Sequence, residues 1–182
     1  MKGIADLVFE ALFLKHVPRT GYQFLGTGKE SVAEHIYAVT FIAFVFSKLE
    51  PAANAERLLT MCLVHDLPEA RTGDLNYVQK RYVQSDQQAA LTDALGDIEW
   101  APQIEELIAE FDAGTTLEAN LARDADQLAL LVDLKALQDL GYQTPQQWLP
   151  HVRQRLNTEI AKNLADKLMN TSRNEWWFRL FC

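Results

Sequence analysis

Helical periodicity runs almost unbroken along the 182 residues, and no alternating strand pattern lasts more than a few positions. That combination restricts the chain to an all-α fold. Ile4, Leu7, Val8, Ala11, Leu12 and Lys15 mark a first helix with an apolar stripe, which Pro18 and Gly21 break. A loop over 21–29 carries Gly26 and Gly28 as punctuation. Ser31 and Glu34 have the spacing of a capping box and open a long second helix to about Leu49. Leu58, Leu59, Cys62 and Leu63 repeat at helical spacing in a third helix over 55–66. Pro68 to Asp74 is a helix edge and a turn. The more polar stretch 75–112 predicts two or three shorter helices, one starting near Pro102. Thr115 and Glu118 form a second box, opening a helix to about Leu140 that Gly141 stops. Thr144, Pro145 and Gln147 form a third, with proline at the first helical position. It predicts one long last helix to about Met169. There is no repeat, low-complexity tract or linker, so residues 1–182 read as one domain.

A globular chain of this length buries about 70% of its unfolded surface. The 48% hydrophobic and 23% charged content excludes bulk disorder. The net charge of −8 argues against nucleic acid as a partner, because such a partner needs basic surface to displace counterions. A small phosphorylated substrate is still allowed, since a metal or a local basic pocket reverses the sign. Cys62 and Cys182 make no disulfide framework and suit a reduced cytoplasm. Residues 1–15 lack the pattern of a signal peptide. The most apolar stretch, Ala38 to Phe46, is about half of the ~20 residues that span a bilayer. It predicts a buried helix and no membrane partner.

The informative chemistry is the doublet His65-Asp66 at a predicted helix end. An imidazole and a carboxylate side by side can meet one cation, but a site needs further ligands from elsewhere. His35 lies early in the second helix, and Asp126 lies among apolar neighbours, where an unpaired carboxylate is costly. One His, the His-Asp pair and one Asp give an N2O2 set suited to Mn, Co, Ni, Fe or Zn, with open positions for water and a phosphate oxygen. The bland reading is a chance doublet, with Asp126 a surface carboxylate beside Arg123 and Asp124 a rival for its place. Glu69 faces the same side as His65 and Asp66 on a continuing helix and can handle a proton. Asp74 follows Gly73, where the backbone can turn toward a site. Arg19 is a candidate fork for phosphate, and Tyr22 a candidate surface for a base or sugar. His16 and His151 have no such context and read as surface residues.

The order His35, His65-Asp66, Asp126 resembles the HD-domain superfamily of metal-dependent phosphohydrolases. The strings Pro18-Arg19-Thr20-Gly21-Tyr22, Glu30-Ser31-Val32-Ala33-Glu34-His35, His65-Asp66-Leu67-Pro68-Glu69-Ala70 and Gly73-Asp74 resemble its 5′-deoxynucleotidase branch. The likeness covers a motif core of about 5–140, followed by a C-terminal helix and aromatic tail over 144–182. It implies a single HD-domain helical bundle holding one divalent metal ion (Mn, Co, Ni, Fe, Zn or Mg) on His35, His65, Asp66 and Asp126. It implies Glu69 and Asp74 as catalytic residues and Arg19 on the phosphate of a nucleoside monophosphate. The implied reaction is hydrolysis of nucleoside 5′-monophosphates, in a cytoplasmic homodimer. Many relatives carry Trp where this chain has Tyr22, a departure that bears on base or sugar preference. The tail residues Trp176, Trp177, Phe178 and Phe181 are expected to pack on the core or on a partner subunit.

Two other readings compete. One keeps the metal and changes the substrate to a triphosphate, cyclic nucleotide or alarmone. The histidines left for a second metal, His16 and His151, lie outside the motif blocks. The other is a noncatalytic helical module with a structural metal and the aromatic tail as docking surface. Such a module has no need of Arg19, Glu69 and Asp74.

Overall fold

The computed structural model describes residues 1–181. Cys182, one of the two cysteines, lies outside the described residues. Among the described residues eleven α-helices follow one another: α1 (Lys2–Phe13), α2 (Tyr22–Leu25), α3 (Val32–Leu49), α4 (Ala55–Val64), α5 (Glu69–Thr72), α6 (Gln87–Leu95), α7 (Ala101–Ala113), α8 (Leu117–Asp139), α9 (Pro145–Gln154), α10 (Glu159–Met169) and α11 (Glu175–Phe178). Short 3₁₀ turns occupy Leu14–His16 and Gln79–Arg81. Among the described residues no strand forms, and one antiparallel bridge between Pro18 and Ser31 closes the loop that carries Arg19.

Helix α8 is the axis of the bundle, with α3, α4, α7, α9 and α10 packed around it. Leu121, Leu128, Leu131 and Leu134 on α8 are wholly buried, as are Phe46, Leu58 and Met61 opposite. Burying each such side chain stabilises the fold by about 1.5–3 kcal/mol. The capping box at Ser31 forms in full: its hydroxyl accepts the Glu34 N–H, and the Glu34 carboxylate accepts the Ser31 N–H. That box fixes where α3 begins, one turn before His35.

Several expectations need correction. Helix α3 is 18 residues long and apolar enough to cross a bilayer by length and composition. Here it buries one face only: Val39, Ala43 and Phe46 pack into the core with α4 and α8, and Val32 and Ile36 pack on Leu14 and Val17. Tyr37, Phe41 and Phe44 on the other face are exposed, so it is not the wholly buried helix that Ala38 to Phe46 suggested. The cap of α8 is Thr116, not Thr115; its hydroxyl accepts the Ala119 N–H. Glu118 does not close a box but accepts the Asn54 N–H at the start of α4. Thr144 makes no side-chain cap. The long last helix is two helices, broken over 155–158. Of the two surfaces expected for the aromatic tail, the core is excluded and a partner subunit is left: Trp176, Trp177, Phe178 and Phe181 are all exposed. Trp177 instead meets Phe178 and Phe181 edge-on.

The break has a clear physical cause. Asp124 on α8 is wholly buried. Its carboxylate accepts the N–H and the side-chain amide of Asn157 at 2.7 and 3.1 Å, and the N–H and hydroxyl of Thr158 at 2.8 and 2.6 Å. The two backbone N–H groups are free to reach Asp124 only if the chain stops being helical there. Thr158 then caps α10 through the Ala161 N–H.

Candidate active site

Three elements deliver the site. His35 comes from the first turn of α3, His65 caps the end of α4, and Asp126 comes from mid-α8. One ligand atom from each lies within 4.8 Å of the other two. His35 Nε2 is 2.9 Å from Asp126 Oδ1. Asp66 joins them: its Oδ2 is 3.3 Å from His65 Nε2 and 3.9 Å from His35 Nε2. All four residues expected from the sequence therefore converge, and the rivalry between Asp124 and Asp126 resolves in favour of Asp126. The two lie about 200° apart around α8, so one faces the cluster and the other the α9–α10 junction.

The cluster fits a divalent cation. His65 Nδ1 lies 2.9 Å from the Cys62 carbonyl, which only accepts, so that nitrogen donates and Nε2 turns into the cluster. Both His65 Nε2 and Asp66 Oδ2 are buried and lack a directed hydrogen bond despite their proximity. Buried polar atoms are rarely left so without a ligand between them. Burial opposes charge on both, yet the pair hold each other ionised. The desolvated His65 is nonetheless raised to about 9, chiefly by the charge of Asp66, while Asp66 is held below the usual carboxylate range by His65. Burial also works against Asp126, and the hydrogen bond from His35 overrides it and keeps the carboxylate ionised.

A cavity of about 290 Å³ opens beside the cluster, lined by Arg19, Tyr22, His65, Asp66, Glu69, Asp74 and Asp126 among others. Arg19 reaches Asp74 at 3.4 Å, Asp66 at 3.7 Å and Glu30 at 3.9 Å. Glu69 and Asp74 differ in how free they are. Asp74 accepts the Thr20 N–H at 2.6 Å and the Thr20 hydroxyl at 3.1 Å, so it ties the Arg19 loop down. Gly73 permits this approach with a φ of 72°, where a side chain would be strained. Glu69 is buried, and its Oε2 has no partner. Burial, then the charges of Asp66 and Asp74, push its carboxyl well above the ordinary range. Tyr22 lies so close to Gly28 that a Cβ there would meet its ring at 2.9 Å.

Sequence reasoning gave no role to Glu30, whose carboxylate sits 3.8 Å from His35 Nδ1 and 3.9 Å from Arg19 Nε. It also missed Trp148, Gln127 and Lys80 in the cavity wall. Glu30 lay inside a quoted string; the others carry no spacing signal that links them to the cluster. His16 and His151 are exposed and remote from it, as expected.

The HD domain sequence model matches residues 12–169, most of the chain. The chain belongs to the HD domain family. Among similar proteins is the 5′-deoxynucleotidase hdd1 of Schizosaccharomyces pombe, 29% identical over an alignment of 131 positions that covers 66% of this chain and 65% of that one. The 5′-deoxynucleotidase HDDC2 of Danio rerio is 28% identical over 70% of this chain and 66% of its own length. The chain thus spans slightly less than two thirds of these curated relatives. A conserved hypothetical protein from Pyrococcus furiosus has a TM-score of 0.75 at 27% identity, covering 92% of this chain and 99% of that one. The cyanophage S-2L HD phosphohydrolase, solved with dA and one catalytic Zn²⁺ ion, has a TM-score of 0.54 at 22% identity over 88% of this chain and 91% of its own. That likeness carries the HD fold alone.

Proposed function

We propose that this HD domain protein is a metal-dependent phosphohydrolase that converts nucleoside 5′-monophosphates, deoxynucleotides foremost, to nucleoside and phosphate. The observation that carries the reading is the convergence of His35, His65, Asp66 and Asp126 beside a cavity that also holds Arg19, Glu69 and Asp74. A purely structural metal site has no use for the last three. The names of the Schizosaccharomyces pombe and Danio rerio relatives support the substrate class.

In this reading the four ligands hold one divalent ion. Such an ion, when bound, supplies Lewis-acid charge and lowers the pKa of a coordinated water. Arg19 holds the phosphate, its direction fixed by Glu30 and Asp74. Glu69 takes the proton from the attacking water and returns it to the departing 5′ oxygen, a task that suits a buried carboxyl of raised proton affinity. Asp74 orients Thr20 and Arg19. Tyr22 walls the nucleoside end, its ring close against Gly28. The test is phosphate release from deoxy and ribo 5′-monophosphates, 3′-monophosphates, triphosphates and cyclic nucleotides, with chelator and then with Mn, Co, Mg or Zn restored. Metal-dependent release confined to 5′-monophosphates is the expected result. Release only from triphosphates or cyclic substrates would overturn the substrate class, and none from any substrate would overturn the reaction.

A cytoplasmic homodimer belongs to the same proposal. Tyr37, Phe41 and Phe44 form an exposed aromatic row on α3, and Val8 and Leu12 of α1 lie exposed beside an adjoining apolar cavity of about 500 Å³. Continuous apolar surface of this kind marks an interface. Light scattering should return twice the 20.7 kDa chain mass, and Phe41→Glu should return one chain. A monomeric wild type would sink the dimer.

A further inference from the structure

The cavity is an acidic place to receive an anion. Glu30, Asp66, Glu69, Asp74, Asp112 and Asp126 all line it, against Arg19, Lys80 and His65, the last paired with Asp66. Arg19 is already committed to Glu30, Asp66 and Asp74. Among the described residues Lys80 pairs with no carboxylate, although it lines the cavity and its charge reaches Glu69. A positive group left unpaired beside so many acids, at the end of a mobile stem, is free to meet an incoming phosphate.

The segment that carries Lys80 is held in place. Asn76 is buried, and its side-chain oxygen accepts the N–H groups of Val78 and Gln79 at 3.1 and 3.0 Å. The Gln79 side chain accepts the Asn76 N–H at 3.0 Å in return. This reciprocal turn begins two residues after Asp74 and sets the 3₁₀ turn Gln79–Arg81 at the cavity rim. Tyr77, in the same turn, hydrogen-bonds Arg155, and that guanidinium lies 5.0 Å over its ring. The rim is thereby tethered from both sides, and Lys80 is presented to the cavity by a fixed backbone.

We propose that Lys80 is a substrate-binding residue, the second cation on the phosphate of the bound monoester, acting from the cavity rim. The proposal deepens the phosphohydrolase reading and rests on it for the identity of the ester. Arg19 orients the phosphate, and Lys80 draws it in and neutralises its remaining charge.

The test compares the metal-loaded wild type with Lys80→Gln and Lys80→Arg. With a deoxynucleoside 5′-monophosphate, Lys80→Gln should raise KM about tenfold to a hundredfold and change kcat far less, the scale of one lost charged hydrogen bond. Inhibition by inorganic phosphate should weaken by the same factor. Inhibition by the neutral deoxynucleoside should stay as it is, and Lys80→Arg should restore most of the loss. Raised salt should weaken wild-type binding more than that of Lys80→Gln. An unchanged KM with a shifted pH profile of kcat would overturn the proposal, leaving Lys80 as a neighbour that only tunes Glu69. Equal loss of phosphate and nucleoside inhibition would overturn it as well, since that marks a deformed rim. Calorimetric binding of inorganic phosphate to metal-loaded wild type and Lys80→Gln separates this idea from the wider one. Lys80-dependent phosphate binding in a protein that hydrolyses no monoester would retain Lys80 and discard the reaction; Lys80-independent binding would discard Lys80.

Discussion

His65→Ala should fold to the same helical bundle, bind no stoichiometric divalent ion, and release phosphate no faster than chelator-treated wild type. The imidazole is buried at the end of α4 with Nδ1 on the Cys62 carbonyl, so Nε2 has one direction to point. No neighbour can supply that nitrogen, because the other histidine of the cluster, His35, already faces Asp126. The wild type should also show a pH signature that the variant loses. Without an ion, His65 holds its proton up to about 9, because the charge of Asp66 outweighs its burial. An ion binding at neutral pH must displace that proton. Affinity should therefore rise with pH and level off near 9. The calorimetric enthalpy near pH 7 should vary with the ionisation enthalpy of the buffer. Full metal-dependent turnover in His65→Ala would remove the ligand assignment. Buffer-independent binding heats would show that His65 is already neutral.

Asp124→Ala should be the most damaging substitution for stability, although it lies only two positions from Asp126. It removes a buried carboxylate that accepts four hydrogen bonds from Asn157 and Thr158. Two backbone N–H groups and two side-chain donors are left facing apolar surroundings. Bonds to a charged acceptor are worth about 1.5–3 kcal/mol each but do not add within a network, so a total loss of about 3–5 kcal/mol is expected. For a chain of this size that lowers Tm by roughly 6–20 °C. Asp124→Asn keeps the shape and part of the bonding, and should lie between. In whatever fraction stays folded, metal stoichiometry should match wild type, because Asp124 faces away from the cluster. A melting temperature within about 2 °C of wild type would show that the junction holds without the carboxylate.

The contrast between these two aspartates shows where the sequence is readable. The apolar periodicity of α3, α4 and α8 is local and dictated their place, as did the Ser31–Glu34 box. The turn at Gly73 was equally plain, since few residues tolerate that backbone. The ligand cluster was legible because its motif strings are distinctive, and the geometry brings all four residues together. What escaped notice depends on partners far along the chain. Asn157 and Thr158 look compatible with one long helix until Asp124, more than thirty positions earlier, claims their hydrogens. Glu118 looked like half of a box, but the Asn54 N–H takes it. Lys80 and Trp148 have no motif, and only the fold brings them to the cavity.

The Asp124 tether also sets how far the chain can be trimmed from its carboxyl end. Beyond Asn170 every described residue is exposed, and the Arg173 N–H on Asp139 is the bond that anchors the segment to α8. A protease could shave the aromatic tail and leave the bundle whole. Cleavage before Asn157 would instead strand a buried negative charge in the middle of α8, on the same rod that carries Asp126. Wear in the tail beyond Asn170 is harmless, loss of α10 uncovers the core around Ala161 and Ala165, and loss of Asn157 and Thr158 reaches the rod that carries the chemistry.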